Sequence, residues 1–92
     1  MKIGDLVEVS NGFPCILSPF ELGSQEFMEW KHQEFLDWKS NSMREVKVEF
    51  KVGEIGTVLE VGGKNYFNEN NVRILVPRGI GWCSQHWVEV IS

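Results

Sequence analysis

Hydrophobic and polar positions alternate strictly between residues 46 and 52. Val46, Val48, Phe50 and Val52 fall on one side, and Lys47, Glu49 and Lys51 on the other. In extended backbone successive side chains point to opposite faces, so this stretch predicts a half-buried antiparallel strand. The same pattern predicts a strand over 3–9, with Val7 and Val9 on one face and Glu8 on the other. Further strands are expected over 55–61, over 72–76 with Val72, Ile74 and Val76 sharing a face, over 80–83 and over 88–91. Trp82 alternates with Ile80 and reads as a core position. Residues 13–17 form a short apolar run broken by Pro14, which restricts it to a sheet edge. Turn chemistry separates the strands: Ser10-Asn11-Gly12, then Gly62-Gly63-Lys64-Asn65 continued by Asn68-Glu69-Asn70-Asn71, then Pro77-Arg78-Gly79. Ser84-Gln85-His86 reads as a short 3₁₀-type turn.

One segment breaks this period of two. Gln25-Glu26-Phe27-Met28-Glu29-Trp30-Lys31-His32 is followed directly by Gln33-Glu34-Phe35-Leu36-Asp37-Trp38-Lys39-Ser40, and five of the eight positions are identical. Ser24 is a good N-cap, Glu26 lies in the first turn and Lys39 suits a C-terminal end, so a helix is expected over 25–39. With Phe27 as origin and about 100° per residue, Trp38 lies at about 20°, Phe35 at about 80°, Met28 at about 100°, Trp30 at about −60° and Leu36 at about 180°. A step of eight residues turns the second copy by about 80° and does not build a single stripe. The helix is therefore apolar over more of its circumference than one packing contact needs. Most of an amphipathic face normally buries against its own domain. The expectation is that part of this surface caps the strands and part faces a partner.

Taken in order, these elements resemble an SH3-like small β-barrel. The likeness is carried by Gly4-Asp5-Leu6-Val7-Glu8-Val9, by Gly53-Glu54-Ile55-Gly56-Thr57-Val58-Leu59-Glu60-Val61, by Val72-Arg73-Ile74-Leu75-Val76 and by the closing Trp87-Val88-Glu89-Val90-Ile91. The order is similar to the KOW-type barrels of transcription and ribosomal proteins. It also looks like the small barrel protein of photosystem I, the variable chain of ferredoxin–thioredoxin reductase and small bacteriophage barrels. The resemblance covers residues 2–9 and 53–91 and leaves out 20–45. It implies a mainly β fold, an SH3-like barrel of five or six antiparallel strands, with one helical insertion in its first long loop. Residues 13–17 and 46–52 would be the arms of that loop and the helix would sit at its tip. In SH3-like domains a binding surface often lies between this loop and the one corresponding here to 62–71, which draws in Tyr66, Phe67 and Trp87, with Phe13 and Trp82 as further aromatics. The fold implies little about function, because it hosts many unrelated roles.

Size and charge narrow the partner. A chain of 92 residues has room for one core, so 1–92 is expected to form a single domain with its helical insertion at about 20–45. The formal charge is −4, and residues 20–45 hold six acidic side chains against three basic ones. Lys47, Lys51, Lys64, Arg73 and Arg78, with Tyr66 and Phe67 for stacking, could serve a nucleic acid, but Glu49, Glu54, Glu60 and Glu69 are interspersed among them. The basic footprint that supplies phosphate affinity is missing. No apolar run reaches the length of a membrane span. Met1-Lys2-Ile3-Gly4-Asp5 lacks the apolar stretch of a secretory leader, so a cytoplasmic location is expected, the host's cytoplasm if the chain is phage-encoded.

Chemistry is sparse. Two cysteines, Cys15 and Cys83, are too few for a disulfide scaffold and are expected to be thiols. Cys83-Ser84-Gln85-His86 is a C-x-x-H half site, but Cys15 and His32 are isolated and supply no second half site, so no metal is expected. A thiolate–imidazole pair of Cys83 with His86 or His32 lacks an orienting third group, and no phosphate-cradling loop occurs. The reading is a non-catalytic protein-binding or adaptor module without a cofactor. It would dock a protein partner through Phe27, Trp30, Phe35, Leu36, Trp38, Tyr66, Phe67 and Trp87. Homodimerisation through the same face is a second way to cover it. The alternatives are a KOW-like nucleic-acid-binding module and a small virion-accessory or structural protein.

Overall fold

The structure is a computed structural model that describes residues 1–40, 48–66 and 68–91, with the backbone alone over 33–40. It is mainly β with one helix. In chain order the elements are β1 (Leu6–Val9), β2 (Cys15–Leu17), α1 (Gln25–Ser40), β3 (Val48–Phe50), β4 (Gly56–Lys64), β5 (Asn70–Val76), β6 (Gly79–Ser84), a 3₁₀ turn (Gln85–Trp87) and β7 (Val88–Val90). Five strands form an antiparallel sheet in the order β6-β5-β4-β1-β7, and β2 pairs with β3 in a separate two-stranded ribbon. The two arms expected to flank the helix thus do pair, with Ile16 opposite Glu49.

Burial follows the alternation. Val7 and Val9 point inward, as do Val72, Ile74 and Val76. They meet Val58 of β4, Val88 of β7 and Cys83 of β6 in one core cluster, which Leu17 of β2 and Phe50 of β3 cover from the ribbon side. The ribbon meets the sheet at its β6 edge. Ser18 and Trp82 exchange two backbone hydrogen bonds there, of 2.8 and 2.7 Å. Gly81 makes the approach possible: a Cβ at this position would lie 2.5 Å from Leu17 Cβ.

Several boundaries differ from the sequence reading, each for a local reason. The first strand begins at Leu6, not at residue 3, because Asp5 closes a turn onto Lys2. The Lys2 N–H donates to Asp5 Oδ2 at 2.9 Å, the Asp5 N–H donates to the Lys2 carbonyl at 3.1 Å, and Ile3 is left exposed. Among the described residues of the 46–52 stretch, β3 ends at Phe50, and Val52 is in a turn that Glu54 closes onto Lys51. Of the turn expected at 62–65, Gly62, Gly63 and Lys64 are instead the end of β4, and Asn70 and Asn71 begin β5. Trp82 is half-buried beside buried Gly81 and Cys83, so it lies on the outer side of β6 with Ile80 and is not a core residue. A closed ring of strands is not formed by the hydrogen bonding of the described residues: β6 and β7 are the two edges of the larger sheet. Among these residues no helix is long and apolar enough to cross a membrane.

Candidate functional site

The helical insert is fastened to the sheet at its root. After β2 the chain turns on Ser18, whose Oγ donates to the Phe20 carbonyl at 2.7 Å and accepts the Phe20 N–H at 3.0 Å. Glu21 then reaches across to β4 and β5. Its Oε2 accepts the Gly63 N–H at 2.6 Å and the Asn71 Nδ2–H at 3.3 Å. Asn71 Nδ2 also donates to the Leu22 carbonyl at 2.9 Å, and Asn71 Oδ1 accepts from Asn65 Nδ2 at 2.9 Å. Asn71 is fully buried, so these bonds offset the desolvation of its amide. Gly62 leaves room for the carboxylate, since a Cβ there would sit 2.5 Å from Glu21 Oε2. One step later Ser24 caps α1. Its Oγ accepts the Phe27 N–H at 3.1 Å and donates to the Glu21 carbonyl at 2.6 Å.

This root sets the first turns of α1 beside the turn that joins β4 to β5. The Tyr66 hydroxyl donates toward Met28 Sδ at 3.3 Å. Both side chains are open to solvent: Tyr66 is 70% exposed and Met28 54%. Phe27 and Trp30 are half-buried, with ring centroids 5.9 Å apart and tilted by 42°. Lys31 Nζ lies 6.0 Å from the Phe27 ring centre and 5.6 Å from that of Trp30, at the outer range of cation–π attraction. The 3₁₀ turn stands at the same end of the sheet, where Gln85 Nε2 donates to Glu69 Oε2 at 2.8 Å. Its Trp87 is half-buried and stacks edge-on with exposed His86, centroids 5.3 Å apart.

Of the residues expected to bind a partner, Tyr66 is brought to α1, Phe27 and Trp30 lie together on the insert, and Trp87 pairs with His86. The side chains of Phe35, Leu36 and Trp38, and the whole of Phe67, lie outside the described residues. The four candidate metal ligands separate into different surroundings. Cys15 and Cys83 adjoin each other, His32 is exposed on α1 and His86 is exposed on the 3₁₀ turn. Among the described residues no group of three His, Cys, Asp or Glu side chains gathers closely enough to hold a metal ion. At the opposite end of the sheet the Lys51 N–H, and then the Arg78 guanidinium at 2.7 Å, hold the Glu54 carboxyl below the usual carboxylate range.

Sequence reasoning missed Glu21, Gly62 and Asn71. Asn71 closes a run of loop-forming residues, and nothing local distinguishes it from them. Glu21 was one acid among six in its segment. Comparison with known proteins brings no relative to bear: no family model matches the chain, and no curated protein or solved structure matches it.

Proposed function

We propose that the chain is a non-catalytic binding module of SH3-like build, and that it docks a protein partner where the root of the insert meets the β4–β5 turn. The strand order β6-β5-β4-β1-β7, the paired arms β2 and β3, and a 3₁₀ turn before the last strand all support that build. The resemblance expects a binding surface between the first long loop and residues 62–71, and this is where Met28 and Tyr66 meet. The observation that carries the reading is this exposed pair, drawn from two elements and held over a polar root that leaves it open. Tyrosine and methionine are low-cost or adaptable anchors for such contacts. The surrounding acidity favours a partner with a basic rim over a phosphate backbone.

Affinity enrichment followed by titration of the recovered partner tests the proposal. Tyr66→Ser and Met28→Glu should each weaken that partner at least about tenfold, the scale of a modest interface anchor. Ile80→Ser, on the outer face at the far end of β6, should not. A partner held equally by all four proteins would reject the site. Nucleic-acid binding that falls steeply with salt would instead favour the KOW-like reading. Light scattering over a range of concentrations decides whether the partner is a second copy.

A further inference from the structure

The contact between β2 and β6 places the chain's two cysteines against each other. Leu17 lies on Gly81, with the Cβ position of Gly81 2.5 Å from Leu17 Cβ. The strands are antiparallel at this point, through the paired Ser18–Trp82 bonds. Two residues back along β2 from Leu17 is Cys15, and two residues on along β6 from Gly81 is Cys83. A step of two returns to the same face of each strand, so the cysteines meet one step further along the same contact. Cys15 Sγ points toward the Ile16 carbonyl at 4.0 Å, and the two thiols are close enough to shift each other's ionisation. Cys83 is 2% exposed and belongs to the core, whereas Cys15 is only half-buried and packs against its edge. Cys15 is thus the more accessible of the two cysteines, and Cys83 is buried.

We propose that Cys15 and Cys83 are a thiol–disulfide exchange pair that a low-molecular-weight disulfide such as glutathione disulfide converts to an intramolecular bond, locking the ribbon onto β6. The Cys15 thiolate attacks one sulfur of the small disulfide. A mixed disulfide forms and one small thiolate leaves. The Cys83 thiol gives up its proton and its sulfur attacks Cys15 Sγ, which expels the second small thiolate. The balance is two protein thiols and one small disulfide giving one protein disulfide and two small thiols. The protein is oxidised and the reagent reduced. The neighbouring Cys83 thiol holds the Cys15 thiol below the ordinary cysteine range, while Cys15 and burial push Cys83 well above it. This asymmetry assigns the first attack to Cys15. The new bond fastens β2, the strand that leads into the insert.

The test is incubation of the full chain with glutathione disulfide under native conditions, followed by intact mass and non-reducing peptide mapping. Wild type should lose two hydrogens, retain no glutathione and yield one peptide pair joined through Cys15 and Cys83. Its thermal midpoint should rise by roughly 10 °C, because the bond closes a loop over most of the chain. Cys83→Ser should stop at glutathione on Cys15, and Cys15→Ser should stay unmodified while folded. Wild-type protein that keeps two free thiols, or that carries glutathione without closing the ring, would overturn the proposal. Equal modification of Cys83 in folded Cys15→Ser would overturn the order of attack. The wild-type mass alone decides the main point if either variant fails to fold.

Discussion

The sheet-and-ribbon body and the helical insert are held by different forces. In the body, strands from both sheets turn one face inward, and the buried side chains from Val7 to Val88 form one cluster. Stability there comes from apolar area removed from water. The insert is tied down at its root by a carboxylate, a buried amide and a capping hydroxyl, while Met28 remains exposed a turn later. Apolar character therefore means different things in the two regions. In a strand of period two it marks the core. On the described part of α1 it includes Met28, which the body leaves exposed.

The largest difference between body and insert is expected at Phe50, which is fully buried between ribbon and sheet. Phe50→Ala should cost about 3–5 kcal/mol in denaturant unfolding, because transfer and cavity terms add. Met28→Ala, on the insert, should stay within about 0.5 kcal/mol. Equal losses would mean that α1 shares the core. Gly81→Ala should rank next. The added methyl must displace Leu17, at about 1–3 kcal/mol, and the Ser18 and Trp82 amides should lose protection from hydrogen exchange. A neutral Gly81→Ala would show that the ribbon does not rest on β6 as closely as described.

Asn71→Ala loosens the root of the insert and leaves the apolar core of the body in place. It leaves the Leu22 carbonyl and Glu21 without their amide donor and should cost about 1–3 kcal/mol. Hydrogen exchange should speed up at the first turns of α1 while Val58 and Ile74 keep their protection. Uniform acceleration would mean that root and body open as one unit. The smallest effect is expected at half-buried Glu54, whose partner Arg78 is exposed. Its carboxyl is held low by the Lys51 N–H and then by Arg78, so the contribution is present above the unfolded-state carboxyl range and is lost as pH falls through the folded value. A carboxyl-carbon NMR titration should place Glu54 below ordinary glutamates, and Arg78→Gln should move it upward.

The body was legible where one face is buried along a whole strand. Val72, Ile74 and Val76 could be assigned inward because only one register hides all three. Legibility failed where side-chain bonds override turn propensity. Gly62, Gly63, Asn70 and Asn71 have the composition of a loop, yet Glu21 holds the Gly63 N–H and Asn70 Nδ2 donates to the Gly62 carbonyl at 2.9 Å. Glu21 lies 42 residues from Gly63 in sequence, so no local window contains that partner. Trp82 was misread because its alternation with Ile80 fixes a shared face without saying which face is covered. At the site, the repeat identified the insert and its aromatics, including Phe27 and Trp30. The Met28–Tyr66 contact links residues far apart in sequence, and only the root geometry creates it.

The central claim is that this exposed pair, standing over a polar root, is the surface that holds a partner. The most direct measurement is the binding isotherm of the enriched partner for wild type, Tyr66→Ser and Ile80→Ser, with folding of each verified by its amide spectrum. Tyr66→Ser should show a Kd at least about tenfold weaker, and Ile80→Ser an unchanged one. An unchanged Kd for Tyr66→Ser, or an equal loss for Ile80→Ser, would contradict it.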